Sequence, residues 1–335
     1  MDMKELTKKL TLEEKAALVQ GKTMWTTWEI PRLGIPSIFL SDGPHGLRKQ
    51  AGPADNLGLN ESIPATCFPT AATMANSWDT QLGEELGQYL GMEAAANDVN
   101  ILLGPGLNIK RSPLCGRNFE YFSEGPYLAG KMAAAYIRGI QSKGVAACPK
   151  HFAANSQELR RMSTDSVVDE RTLREIYLTN FEIAVTEGAP KAIMSAYNRV
   201  NGTYANENRE LLLDTLRKQW GFEGFVMSDW GASNDHVEGV RNGSALEMPA
   251  PGLDSAMNLV AAVKSGELPE ADLDARVEEL LNVVFDARCR RKGTQGAGSG
   301  RFSGHGAALR RRVHRTAGKR RYLAPEKRQP CGHCG

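Results

Sequence analysis

The chain has 335 residues, 41% of them hydrophobic, enough to bury one large core or two ordinary ones. Its net charge of +2 conceals an imbalance: residues 288–335 hold 14 Lys or Arg against one acid, Glu326, leaving 27 basic and 38 acidic residues over 1–287. No apolar run reaches membrane-spanning length and MDMKELTKKL is no export signal, so composition excludes a membrane protein and predicts a cytoplasmic one. Cys67, Cys115, Cys148, Cys289, Cys331 and Cys334 show no framework spacing, which predicts reduced thiols.

Thr11-Leu12-Glu13-Glu14 is a capping box that opens an amphipathic helix carrying Leu12, Ala16 and Val19. After a loop over 24–36, a short strand at 37–40 runs into SDGPHGLR, where Gly43, Pro44 and Gly46 forbid regular structure and leave Asp42, His45 and Arg48 on a loop. Residues 80–97 have helical spacing. ILLGPGLNI is a buried strand broken by Gly104-Pro105-Gly106 and followed by the turn-rich RSPLCGRNFEYFSEGP. Helix 127–141, strand 145–152, helix 170–187, strand and turn 192–202, helix 209–220 and the apolar run Phe225-Val226-Met227 complete the pattern. That run ends in Ser228, Asp229 and Trp230.

The alternation of apolar strand, polar loop and amphipathic helix predicts parallel strands with helices outside. Polar residues cluster just after the strands, which favours an α/β fold of TIM-type (β/α)8-like barrel form, with chemistry at the C-terminal strand ends. No dinucleotide fingerprint or phosphate loop occurs. His45, His151 and His236 lack ligand spacing, so neither cofactor nor metal is expected.

The strand ends offer Asp42 with Arg48, Arg117 with Glu120, Lys150 with His151, Arg161, Tyr197 and Asp229 with Trp230. Such groups suit a pyranose, a ring of hydroxyls around an apolar face: Trp230 can stack on that face and Asp42 can accept from two neighbouring hydroxyls. Lys150 and His151 would point to opposite sides of a regular strand, so both face one site only if the strand is ending there. Each residue has a plainer reading: an Asp229 helix cap, a core His151 or Tyr197, a structural Arg117–Glu120 ion pair.

The segments SDGPHGLR, GPGLNIKRSPLCGRNFEYFSE, KHFAANSQE, MSAYNRVNG and GFVMSDWGA resemble, in order and spacing, the N-terminal barrel of glycoside hydrolase family 3, most like bacterial β-glucosidases. The resemblance covers about residues 10–287. It implies a retaining glycosidase acting on β-glucosides or small oligosaccharides, with Asp229 as nucleophile. It further implies sugar contacts from Asp42, Arg117, Lys150, His151, Arg161, Tyr197 and Trp230, with Arg48 and Met194 as walls. In that chemistry the carboxylate attacks the anomeric carbon while a second acid protonates the leaving oxygen; Lys150, Arg117 and Arg161 are expected to favour the charged form of Asp229.

Three departures follow. Gly125 stands where relatives carry Asp in SEDP, which predicts a lost loop hydrogen bond. AANSQE lacks the histidine of the hexosaminidase branch. The acid/base Glu of the β-glucosidase branch lies in a second domain that this chain is expected to lack. The barrel is assigned to 1–287. The segment 288–335 reads as a basic, disordered or frameshifted tail, in which Cys331-Gly-His-Cys334 is a CxxC without a second ligand pair. Removal of the partner domain predicts a homo-oligomer. Rival readings are a carbohydrate-binding pseudoenzyme, a nucleic-acid-binding tail, and an aldolase-like barrel using Lys150 as a Schiff base.

Overall fold

The computed structural model describes residues 2–52, 60–249 and 251–294, with residues 308, 311 and 312 besides. The basic tail read at 288–335 thus lies mostly outside the described residues. The last helix, Glu270–Thr294, runs past residue 287, where the barrel was assigned to end. No described helix is long and apolar enough to cross a membrane.

Helix Leu12–Leu18 begins as its capping box dictates: Thr11 Oγ1 accepts from the Glu14 N–H at 3.2 Å, and the Glu14 carboxylate accepts from the Thr11 N–H at 2.9 Å. The strands are β1 (Leu40–Asp42), β2 (Ile101–Leu103), β3 (Ala146–Ala147), β4 (Lys150–Phe152), β5 (Asp165–Ser166), β6 (Ala192–Ser195), β7 (Arg199–Val200), β8 (Thr203–Tyr204) and β9 (Phe225–Met227). Between them run helices Thr80–Ala96 and Pro126–Gln141, a helical stretch over 170–188 that is π-wound at Leu173–Leu178, and the π-wound helix Glu210–Gln219.

The closed eight-stranded barrel expected from the pattern is not formed among the described residues. Two all-parallel sheets of three strands, β1-β2-β3 and β4-β6-β9, take its place, with a small mixed sheet β5-β7-β8 beside them. Pro149, which has no N–H to give a ladder, interrupts the expected strand 145–152: its first half pairs with β2 and its second with β6, while a parallel bridge from Gly106 to Lys150 keeps the two sheets joined. Beyond β9 only single bridges continue, Met227 to Leu246 and Gln20 to Glu247. The return towards β1 is antiparallel, Thr26 to Phe39.

Alternate side chains along the strands face opposite sides, with period two. Leu102, Ala147, Ile193 and Val226 join one apolar cluster with Leu86, Leu90, Tyr136 and Phe181 of the helices. Leu40, Ile101, Leu103, Ala192, Met194, Phe225 and Met227 join a second cluster with Leu18, Leu259, Val277 and Leu281. Both faces of the strands are therefore covered, which is why the runs read as continuously apolar. Polar groups are left only the strand ends.

Candidate active site

Asp42 is the last residue of β1 and Arg48 folds back on it, its N–H donating to the Asp42 carbonyl at 2.9 Å. The turn between them needs its glycines. Gly43 and Gly46 have φ of +144° and +150°, and a Cβ on either would lie within 2.4 Å of a carbonyl oxygen, positions open only to a residue without a side chain. In β4 the register breaks: Lys150 pairs with Met194 but Phe152 with Ser195, so two steps on one strand oppose one on its neighbour. Strict alternation fails there, and Lys150 and His151 both reach the site. Met194 lies in β6, Tyr197 two residues past its end and Asp229 two past β9. Arg117 and Arg161 come from the segments after β2 and β4.

These elements enclose a cavity of about 200 Å³ lined by Asp42, Arg48, Arg117, Lys150, Arg161, Met194, Tyr197, Asp229 and Trp230, together with Trp25 and Leu103. His151, the one predicted site residue not on the lining, is fully buried against it. Its Nε2 lies 2.6 Å from Arg117 Nη2 and its Nδ1 3.2 Å from the Tyr121 hydroxyl. Arg117 can only donate, so Nε2 accepts and Nδ1 carries the proton towards Tyr121.

The charges form one network. Lys150 Nζ donates to Asp42 Oδ1 at 2.6 Å and lies 3.5 Å from Glu120 Oε2. Arg117 donates from Nε to Glu120 Oε1 at 2.5 Å, and its Nη1 is 3.7 Å from Asp229 Oδ2. The Arg117–Glu120 ion pair read as a structural alternative is thus real, and it also belongs to the site wall. Arg161 donates to Glu158 Oε2 at 2.8 Å and covers the Tyr197 ring at 4.4 Å. Tyr197 Oη donates to the Trp230 carbonyl at 2.9 Å. Trp230 is anchored by its indole N–H on the Met24 carbonyl at 2.9 Å and packs against Trp25 with ring centroids 5.0 Å apart.

Asp229 Oδ1 accepts from the Trp230 N–H at 2.7 Å, whereas Oδ2 is buried with no hydrogen-bond partner. Burial pushes the Asp229 carboxyl above its usual range, opposed by Arg117, Lys150, the Trp230 N–H and Arg161. The cations favour the charged form, as expected, but burial outweighs them, and Arg117 and Lys150 are also engaged by Glu120 and Asp42. At Asp42 the balance is reversed: burial raises it, but Lys150, Arg48 and Arg117 outweigh that and hold it low. His151 is pushed well down by burial and then by Arg117, Lys150 and Arg161, so it is neutral. Burial alone would lower Lys150, yet Asp42 and Glu120 keep it an ammonium, raised above its ordinary value. That argues against the aldolase reading, which needs a neutral amine.

Sequence reasoning missed Trp25, Leu103, Tyr121 and Glu158. For Trp25 the signal was MWTTW in a segment read only as loop. Among the described residues no group of three or more His, Cys, Asp or Glu is disposed to hold a metal ion.

Fold and cavity together define a class: an α/β domain with a carboxylate-bearing, aromatic-walled polar pocket at the C-terminal ends of parallel strands. Residues 11–283 match the family model described as the glycosyl hydrolase family 3 N terminal domain, and the chain belongs to that family. It is 56% identical over 287 residues to thermostable beta-glucosidase B of Acetivibrio thermocellus, covering 86% of this chain and 38% of that relative. It is 46% identical over 282 residues to an exo-alpha-(1->6)-L-arabinopyranosidase of Bifidobacterium breve, covering 84% of this chain and 37% of the relative. The chain therefore spans less than two fifths of the length of these curated relatives. Among solved structures, beta-glucosidase 3B from Thermotoga neapolitana in complex with alpha-D-glucose superposes with a TM-score of 0.86 at 39% identity, over 94% of this chain and 46% of that one.

Proposed function

We propose that residues 1–287 form the sugar-binding and nucleophile-bearing unit of a retaining β-glucosidase-type glycosidase, acting on terminal β-glucosides or small oligosaccharides. The observation that carries this reading is Asp229 Oδ2: a buried carboxylate oxygen without a hydrogen-bond partner, on the wall of a cavity that holds about one monosaccharide ring. Trp230 offers an apolar face to the ring. Asp42, held ionised by Lys150, accepts from two neighbouring hydroxyls, while Lys150, Arg117 and Arg161 donate. Met194 and Arg48 close the sides, and His151 steadies Arg117. Relatives named beta-glucosidase, and a solved neighbour in complex with alpha-D-glucose, support glucose as the sugar.

In this reading the ionised Asp229 attacks the anomeric carbon, the glycosidic C–O bond breaks, and a covalent glycosyl-enzyme forms that water later hydrolyses. The ring gains oxocarbenium character on the way, which the Asp42 contacts stabilise through its hydroxyls. The leaving oxygen needs a proton. Asp42, Glu120 and Glu158 are each held by a cation, so the reading assigns the acid to a group outside the described residues.

The test is a 2-deoxy-2-fluoro glucoside with an activated leaving group, which departs without an acid, followed by intact mass and peptide mapping. One glucosyl adduct per chain on Asp229 supports the reading. No adduct on folded protein that still binds glucose gives the binding-only alternative, for which the cation-held carboxylates are the favouring observation.

A further inference from the structure

Glu158 lies outside the small cavity, in the segment after β4, with its side chain 30% exposed. Its contact with Arg161 three residues on is of a kind that contributes little on a protein surface. Two features set it apart. Its Oε1 is buried with no hydrogen-bond partner, 4.0 Å from Arg117 Nε. Its Oε2 holds Arg161, whose guanidinium covers Tyr197. The carboxylate is therefore turned inward between the two arginines that border Asp229. From Glu158, Arg161 leads to Tyr197 and the Trp230 carbonyl, and Arg117 leads to His151 and Asp229.

We propose that Glu158 is a positioning residue of this site: it holds Arg161 over Tyr197, shares the charge of Arg117, and so sets both the donors that face the sugar and the field at Asp229. The part concerning the sugar rests on the glycosidase reading; the part concerning Asp229 does not. The titratable groups facing Asp229 are Arg117, Lys150, His151, Arg161, Tyr197 and Cys148. Glu158 acts on it through two of these. Loss of the Glu158 charge leaves Arg117 and Arg161 less compensated, and both then favour the ionised form of Asp229.

The experiment is a ¹³C NMR pH titration of the Asp229 carboxyl in protein labelled at aspartate Cγ, with Asp229→Asn to assign the signal, in wild type, Glu158→Gln and Glu158→Asp. The proposal predicts that Glu158→Gln titrates Asp229 at lower pH than wild type and that Glu158→Asp, which keeps the charge, returns it most of the way. Glu158→Ser, also uncharged, carries the same expectation should Glu158→Gln fail to fold. Coincident titrations in wild type and an uncharged variant overturn the proposal. D-glucose binding to the same samples should weaken by roughly tenfold in Glu158→Gln and recover in Glu158→Asp, as for a lost charge-assisted hydrogen bond. A wild type that binds no glucose counts against the glycosidase reading, while the titration still decides the role of Glu158.

Discussion

His151 Nε2 lies 3.4 Å from Asp229 Oδ2 yet is not its cationic partner. The ring is fully buried, its Nε2 lone pair faces Arg117, and burial together with Arg117, Lys150 and Arg161 holds its pKa well below the ordinary imidazole value of 6.5. His236, likewise buried, is also lowered. The sign follows: a histidine whose folded pKa is depressed leaves the unfolded chain binding the extra proton, so stability is complete above 6.5 and falls as pH drops through that value. Each such histidine removes about 1.4 kcal/mol per pH unit once the window is entered. Urea melts at pH 7.5, 6.5 and 5.5 should show little change across the first interval and a clear loss across the second; a flat profile contradicts neutral burial of both rings.

Asp229 carries the opposite shift for an acid. Raised above 3.8 by burial, its carboxylate penalises the folded state at neutral pH, and the penalty disappears as pH falls below the unfolded value. Asp229→Asn, close in shape to the protonated acid, should abolish labelling by the fluoroglucoside and also raise the Tm at pH 7, with the Tm gain shrinking towards pH 4. In the wild type, the labelling rate should fall on the acid side at a pH above the ordinary aspartate range. A variant less stable than wild type at pH 7 would show that Asp229 is compensated by its cations after all.

Part of the candidate site was legible because Asp42 ends a strand and Tyr197 and Asp229 follow one, each marking where an apolar run ends and the chain leaves the covered sheet, whereas Lys150 opens β4 inside the run. Barrel closure was not legible. Periodicity reports which residues are buried, and inner and outer faces alternate here as a barrel would require, but it does not report pairing. Closure stops beyond β9, where only single bridges run through Leu246 and Glu247 and the return towards β1 through Thr26 and Phe39 is antiparallel. That burial outweighs the nearby cations at Asp229 was not legible for a related reason. Spacing shows that cations are near, whereas only the structure shows that Glu120 and Asp42 already engage them.

Trp25 is the clearest addition to the sequence-derived site. Its ring tilts 40° against Trp230 and its indole N–H donates to Gln50 at 3.1 Å, while Trp230 is fixed on Met24. The pair forms one platform; in the proposed glycosidase reading Trp230 meets the sugar ring and Trp25 supports it. Trp230→Ala should weaken glucose binding by roughly tenfold, in line with the loss of an aromatic stacking contact. Trp25→Ala should cost less, and Trp25→Phe should recover most of that loss. Equal losses from both alanine variants would make Trp25 a direct contact rather than a support.

Gly125 carries a stability prediction away from the chemistry. It is the N-cap of helix Pro126–Gln141 with φ −80° and ψ 118°, an extended conformation open to any residue, and it makes no side-chain capping bond. The helix therefore starts with a Pro at its first position but no acceptor for its free N–H groups. A Cβ at Gly125 meets only Ser123 Oγ, at 3.6 Å, ordinary contact. Gly125→Asp should place a carboxylate on those N–H groups and against the positive end of the helix dipole. It also removes glycine's freedom in the unfolded chain. The gain should be about 1 kcal/mol in urea unfolding. Gly125→Ala separates the causes, since it keeps the entropy term and lacks the cap: the aspartate must exceed it by a few tenths of a kcal/mol for capping to be at work. Gly125 does not line the cavity, so glucose binding should be unchanged in both variants.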